Sequence, residues 1–294
     1  MSNLVEIKKR IASISSTIKV TKVMQMIATA KVAKIKQTIV ASNKYNDIAN
    51  AIIANYLKYT ENSANIQKFL RNDKNDKYKN ILIVLTSSDK GTCGSINANI
   101  FKEFSILCKK YQLEGCNVFV CPVGKKAKQY LETYFEKLNV KVIFEDQIDA
   151  ENCNSALINQ CIDKCVKMYS NGDINKVCFL YHKFKNIITC NAVCEEVLPL
   201  DASIFSNIET NFINLYEDEN TATSMIEFFV RNKFYCSYTS NLASILSSRM
   251  NAMDNATKNG QEIIDELRIK YNKSRQANIT SELSDIVSGF EAIS

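Results

Sequence analysis

Glycine and proline are almost missing from the two ends of this chain. Residues 1–90 contain neither, and from residue 201 to residue 294 only Gly260 and Gly289 occur. Both prolines, Pro122 and Pro199, and the other five of the seven glycines lie between. These residues are the strongest breakers of regular structure, so their absence predicts two long uninterrupted helices flanking a differently built middle. Histidine is scarcer still, with His182 alone in 294 residues. A single histidine gives no basis for a Ser-His-Asp arrangement, and His182 reads as a strand residue. No run of about 18 uncharged apolar residues is present, which excludes a membrane-spanning helix. The first ten residues carry Glu6, Lys8, Lys9 and Arg10 with no apolar stretch behind them, so no secretory signal is expected.

Cysteine is abundant, with eleven residues, yet no CxxC pair exists. Cys161 and Cys165, and likewise Cys190 and Cys194, stand four apart without histidine nearby. Zinc ligation needs two close pairs or Cys with His, so no metal site is expected. The thiols read as small buried apolar side chains in a reducing compartment. Carboxylate pairs such as Glu195–Glu196 and Glu217–Asp218 lack a matching base and read as surface.

The N-terminal 60 residues show helical periodicity. Leu4, Ile7, Ile11, Ile14 and Ile18 step by three and four, as a coiled-coil seam requires. The apolar step then shifts through Val20, Val23, Met24 and Ile27 and resumes at Val32, Ile35 and Ile39, which reads as a break of heptad phase. A helix from Leu4 to Leu57 would be about 80 Å long. At the other end the seam runs through Tyr238, Leu242 and Ile245, then Ala252, Ala256, Gly260, Ile263, Leu267 and Tyr271. It ends in Ile279, Leu283, Ile286, Phe290 and Ile293. Thr223 to Phe290 would span roughly 100 Å. Neither helix is stable alone, so each is expected to pair with the other, antiparallel.

The middle alternates strand and helix. Strands are expected at Ile81–Thr86, Asn117–Val123, Val140–Phe144, Lys176–His182 and Ile187–Leu198, with helices at Ile96–Tyr111, Lys125–Leu138 and Glu151–Ser170. The fold class is therefore α plus α/β: a long antiparallel coiled coil of N- and C-terminal helices with a central Rossmann-like, doubly wound domain. The expected divisions are residues 1–60, 75–205 and 210–294. Such a sheet invites a nucleotide site at its strand ends. The loop Ser88–Gly94 carries neither GxGxxG nor GxxxxGK followed by Ser or Thr, so no cofactor is expected there.

Net charge is +6, and residues 1–44 hold nine lysines and arginines against Glu6 alone. A helix with this bias suits an acidic partner. Aromatics are not interleaved with these lysines, which disfavours stacking on single-stranded nucleic acid. A basic coiled-coil adaptor binding nucleic acid, and a Rossmann-like enzyme with helical arms, are the competing readings.

Particular motifs narrow the choice. Ile18–Lys34, with Thr21-Lys22-Val23-Met24-Gln25-Met26-Ile27-Ala28-Thr29-Ala30-Lys31 within it, resembles the segment ITKAMxMVAAAK typical of F-type ATP synthase gamma subunits. Thr86–Asn97 (TSSDKGTCGSIN) is similar to that family's TSDRGLCGGxN, with Ser95 in place of a glycine. Lys183–Asn186 matches more weakly. RMNAMDNATK from Arg249, QEIIDEL from Gln261, YNKSRQANIT from Tyr271 and ELSDIVSG from Glu282 follow the family in order.

The resemblance implies a non-catalytic rotor subunit. It would couple rotation of a c-subunit ring to ATP synthesis at beta subunits, within a ring of three alpha and three beta subunits and beside an epsilon-type subunit. It would be peripheral to the cytoplasmic face of a bacterial inner membrane or to the matrix side of a mitochondrial one. It implies contact or coupling roles toward beta subunits for Lys22, Met24, Gln25, Arg249, Arg275, Gln276, Thr280 and Glu282. A glutamate usual in the family is replaced by Ile245. The added stretch that carries the chloroplast form's close cysteine pair is absent, which argues against thiol switching.

Overall fold

The structure, a computed structural model, describes residues 2–60, 69–70, 78–144, 148–151, 155–201 and 219–291. It comprises two compact units, Met1–Ala30 with Arg249–Ser294, and Lys31–Ser248. Helices α1 (Ser2–Thr60) and α5 (Glu219–Glu291) contribute to both.

The larger unit holds β1 (Asn80–Thr86), α2 (Ile96–Leu113), β2 (Asn117–Val123), α3 (Lys125–Leu138), β3 (Val140–Val142), α4 (Ser155–Ser170), β4 (Lys176–Phe184) and β5 (Cys190–Leu198). The sheet order is β3-β2-β1-β4-β5. All pairings are parallel except β4 with β5, which is an antiparallel hairpin on the edge. β1 is the central apolar run, buried along nearly its whole length because both faces of the sheet are covered. Ile81, Ile83 and Leu85 face α2 and α3 through Phe104, Ile100 and Leu131. Leu82 and Val84 face the opposite layer, where α4 contributes Ile158 and Ile162 and α5 contributes Phe229 and Phe234. Phe104 and Phe234 are among the largest fully buried side chains.

α5 does more than cover this sheet. β1 pairs with β4 only as far as Leu180, so β4 runs on beyond its neighbour. The backbone N–H of His182 donates to Asn241 Oδ1 at 3.1 Å, and its carbonyl accepts from Ser240 and Ser244. The N–H of Phe184 donates to Ser240 Oγ at 2.8 Å. Serine and asparagine, weak helix formers, are tolerated here because they satisfy strand backbone that would otherwise be buried unpaired.

The smaller unit is a two-helix coil. On α1 its covered positions are Leu4, Ile7, Ile11, Ile14, Ile18, Thr21, Gln25 and Ala28, and on α5 they include Met253, Thr257, Gly260, Ile264, Leu267 and Tyr271. Both step by three and four without a break. The expected phase break is thus corrected: Thr21, Gln25 and Ala28 keep the seam, while Val20, Val23, Met24 and Ile27 stand outside it, 41–55% exposed. Polar residues hold seam positions because each finds a partner across the coil, as described below. Ala256 and Ile263, expected in the seam, are likewise exposed, as are Ile279, Leu283 and Ile286. The side chain of Phe290, and Ile293, lie outside the described residues.

Other boundaries also differ. β3 ends at Val142, α4 begins at Ser155 and not Glu151, and Ile187–Thr189 form the turn of the β4–β5 hairpin. Glu195 and Glu196 are not free surface. Glu195 accepts from Tyr181 Oη and pairs with Lys233 at 3.2 Å, and Glu196 pairs with Lys176 at 2.9 Å. Lys176 in turn lies over the rings of Tyr78 and Tyr111. Glu217 and Asp218 fall outside the described residues.

Candidate functional site

The strand ends where a nucleotide would sit are filled by the chain itself. In β1's following loop, Asp89 Oδ1 accepts from the N–H groups of Lys125 and Ala150, and Oδ2 accepts from Glu151 N at 2.8 Å. Ser87 Oγ accepts from Ala127 N at 2.7 Å, and the carbonyl of Ser88 accepts from Lys126 N. The start of α3 is the helix end that would attract a phosphate. Its amides are taken by an internal carboxylate, a hydroxyl and a carbonyl. Gly124 makes the close approach possible: with φ +94, a β-carbon there would stand 2.5 Å from Ser87 O.

His182 is the one buried imidazole. Burial pushes its pKa down to about 4, against a smaller opposing effect from its hydrogen bond with Asn241. It is therefore neutral near pH 7, and its Nε2 has no hydrogen-bond partner. This suits a core residue of β4, not a general base tuned to physiological pH. Ile245 lies with Cys93, Ile96 and Cys190 in an apolar cluster, so a glutamate at this position would be buried against thiols and isoleucine.

All eight residues singled out from the sequence fall in the two-helix unit. Its register is fixed by three contacts. Thr21 Oγ1 and Thr257 Oγ1 are 2.8 Å apart, Gln25 Nε2 donates to Asp254 Oδ1 at 2.9 Å, and Ile18 packs on Gly260. The α1 number rises as the α5 number falls, so the helices are antiparallel. Asp254 also receives Lys258 Nζ at 2.7 Å, and this bond, with help from Gln25, holds its carboxyl below the usual range.

Lys22 and Met24 point outward beside this register, whereas Gln25 turns inward to Asp254. Arg249, which precedes Asp254 on α5, is 9% exposed. Arg275 and Gln276 are exposed and, counting the pairing onward, lie beside the first turn of α1. Thr280 and Glu282 lie past its end, with Thr280 Oγ1 bonded to Gln276 O. From Thr257 to Arg275 α5 rises about 27 Å, so these residues form two separate clusters along the coil. Sequence reading missed the roles of Thr21, Thr257 and Asp254. The signal that could have found them was an unbroken three-four count that ignored hydrophobicity.

Fold and site together define a class: a coiled-coil chain carrying an α/β unit, whose candidate residues lie on helix surfaces and along the coil seam. Residues 3–293 match the ATP synthase family. The gamma chain of Clostridium kluyveri ATP synthase is 34% identical, with 99% of each chain covered. Those of Pelagibacter ubique and Rickettsia prowazekii are each 33% identical, with full coverage of both chains. A chain of the Euglena gracilis mitochondrial ATP synthase structure (OSCP/F1/c-ring, rotational state 3) aligns with TM-score 0.67 at 16% identity, covering 99% of this chain and 95% of that one. A chain of the Tetrahymena thermophila central stalk/c-ring structure aligns with TM-score 0.59 at 24% identity, covering 81% and 99%. The chain belongs to the ATP synthase gamma chain family, and as such is a non-catalytic subunit.

Proposed function

We propose that this chain is the central rotor shaft of an ATP synthase, linking rotation of a c-subunit ring to successive conformations of catalytic beta subunits. The observation that carries the reading is the two-helix unit. Its seam is continuous, so it can act as one torsional element, yet it leaves Val20, Val23, Met24 and Ile27 exposed beside Lys19, Lys22 and Lys31. An apolar stripe edged by lysines suits a partner surface that is apolar with an acidic rim.

The partners are three alpha and three beta subunits around the coil, an epsilon-type subunit, and the c-subunit ring. Residues 1–60 and 210–294 serve as shaft, and residues 75–205 as the foot. Lys22, Met24, Gln25 and Arg249 form one contact zone toward beta subunits, and Arg275, Gln276, Thr280 and Glu282 a second. An asymmetric shaft meets each beta subunit with a different face. The resulting differences in contact energy set a different nucleotide affinity at each site, which is a coupling free energy between shaft angle and binding.

The place of action is the surface of an energy-coupling membrane, cytoplasmic in a bacterium or matrix-facing in a mitochondrion. No helix among the described residues is long and apolar enough to cross that membrane. The nucleic-acid reading has no support from the relatives, and the lysine face lacks interleaved aromatics. The test is ATP hydrolysis by matching alpha and beta subunits with and without this chain. Stimulation together with one copy bound per alpha-beta ring is the expected result, and the absence of both stimulation and co-migration would refute the reading.

A further inference from the structure

The cysteines of the sheet unit have no part in the rotor reading, and one group of them is arranged for chemistry. Cys121 on β2 and Cys161 on α4 are 0% and 1% exposed, with their sulfurs 2.8 Å apart. Cys165, one helical turn beyond Cys161, hydrogen-bonds the same sulfur. A disulfide bond is about 2 Å long, so closure needs less than about 1 Å of sulfur movement. The two thiols are 40 residues apart in sequence, and the β2–β3–α4 path brings them together. The expectation against thiol switching rested on a missing insertion, and this pair runs against it.

We propose that Cys121 and Cys161 form a redox-active dithiol that a peroxide oxidises to a disulfide joining β2 to α4. The Cys161 thiolate attacks one peroxide oxygen and the O–O bond breaks. This leaves a sulfenic acid on Cys161, and the departing oxygen takes up a proton to become water. The Cys121 sulfur then attacks the Cys161 sulfur. The S–O bond breaks, and the leaving hydroxide takes the Cys121 proton as a second water. Two thiols are oxidised by two electrons in all, and one peroxide is reduced to two waters.

Cys161 is taken as the attacking sulfur because it is the central thiol of the three, its sulfur in hydrogen-bond contact with both Cys121 and Cys165. Those bonds, helped by nearby Lys164, hold its thiol well below the usual range. The same contacts and burial push Cys121 and Cys165 up. A thiolate is the reactive form toward peroxide, and a neighbouring thiol resolves the sulfenic acid. Peroxide is small and uncharged, and it enters by local opening of the packed layer. A second thiol contact, Cys178 with Cys194 across β4 and β5, provides an internal comparison.

The full-length reduced chain is treated with hydrogen peroxide while folded. Free thiols are then alkylated, and the digest is analysed by mass spectrometry. The expected product is a Cys121 peptide linked to a Cys161 peptide, with loss of one pair of alkylatable thiols and full reversal by dithiothreitol. In Cys121→Ser the link disappears, and dimedone traps a sulfenic acid on Cys161. A chain that stays folded by circular dichroism but yields no such link overturns the assignment. So does a link confined to urea-treated protein, or one that joins Cys178 to Cys194 alone. The wild-type measurement decides the matter even where Cys121→Ser or Cys121→Ala fails to fold.

Discussion

Ile18 occupies the space that a side chain at residue 260 would need: a β-carbon on Gly260 would stand 2.8 Å from Ile18 Cγ1 and 3.1 Å from its Cδ1. Gly260 costs about 1 kcal/mol in helix propensity relative to alanine, and the close approach of α1 and α5 offsets that cost. Gly260→Ala regains propensity while asking Ile18 to shift, so the two effects nearly cancel. Gly260→Leu has no such relief and is expected to lose about 1–3 kcal/mol by overpacking. Urea unfolding of the three proteins checks this. Equal midpoints for wild type and Gly260→Leu would show that the helices are not in this register.

Asp89 ties three backbone amides from two segments to one loop. Asp89→Ala leaves those donors without the carboxylate and is expected to cost about 2–3 kcal/mol. Asp89→Asn keeps one acceptor oxygen and costs less. Hydrogen exchange at Lys125, Ala150 and Glu151 should quicken in both variants. Unchanged exchange would place the restraint elsewhere.

Acid should loosen the sheet unit through His182. Its pKa is about 4 in the folded chain, against an ordinary histidine value of 6.5. Between those values the unfolded chain binds more protons, so stability falls as the pH is lowered from about 6.5 to about 4. The loss sums to about 3 kcal/mol, since each pH step of one across that interval removes about 1.4 kcal/mol. Below the folded pKa this group adds no further loss. Urea unfolding at pH 7 and pH 5 should show a drop in wild type that is much reduced in His182→Gln. Equal drops in both proteins would remove His182 from the explanation.

Most of the sheet unit was legible because its punctuation is local. β2 and α3 occupy the residues the pattern predicted, Asn117–Val123 and Lys125–Leu138, since Gly115 and Gly124 mark turns with positive φ. The coil was legible as a coil but misphased. Hydropathy favours Val20, Met24 and Ile27, whereas burial follows Thr21, Gln25 and Ala28. The fitness of Thr21 and Gln25 depends on Thr257 and Asp254, more than 200 residues away. Ser240, Asn241 and Ser244 were equally silent. Their value lies in the backbone of His182 and Phe184, a partner that no helical periodicity reveals.

The exposed stripe should act in assembly and not in folding. Val23→Ser with Met24→Ser removes apolar surface that is 54% and 41% exposed in this chain. Its own stability should move by less than about 0.5 kcal/mol, as for surface changes generally. Affinity for matching alpha and beta subunits should fall at least several-fold. An unchanged affinity would show that the stripe is not a contact.

The central claim is rotation. Matching alpha and beta subunits are fixed to a surface with this chain bound, and a light-scattering particle is attached to the exposed lysines of α2. ATP is then added. The account predicts sustained rotation in one direction that stops when ATP is consumed. Particles that only fluctuate, on complexes that still hydrolyse ATP, would contradict it.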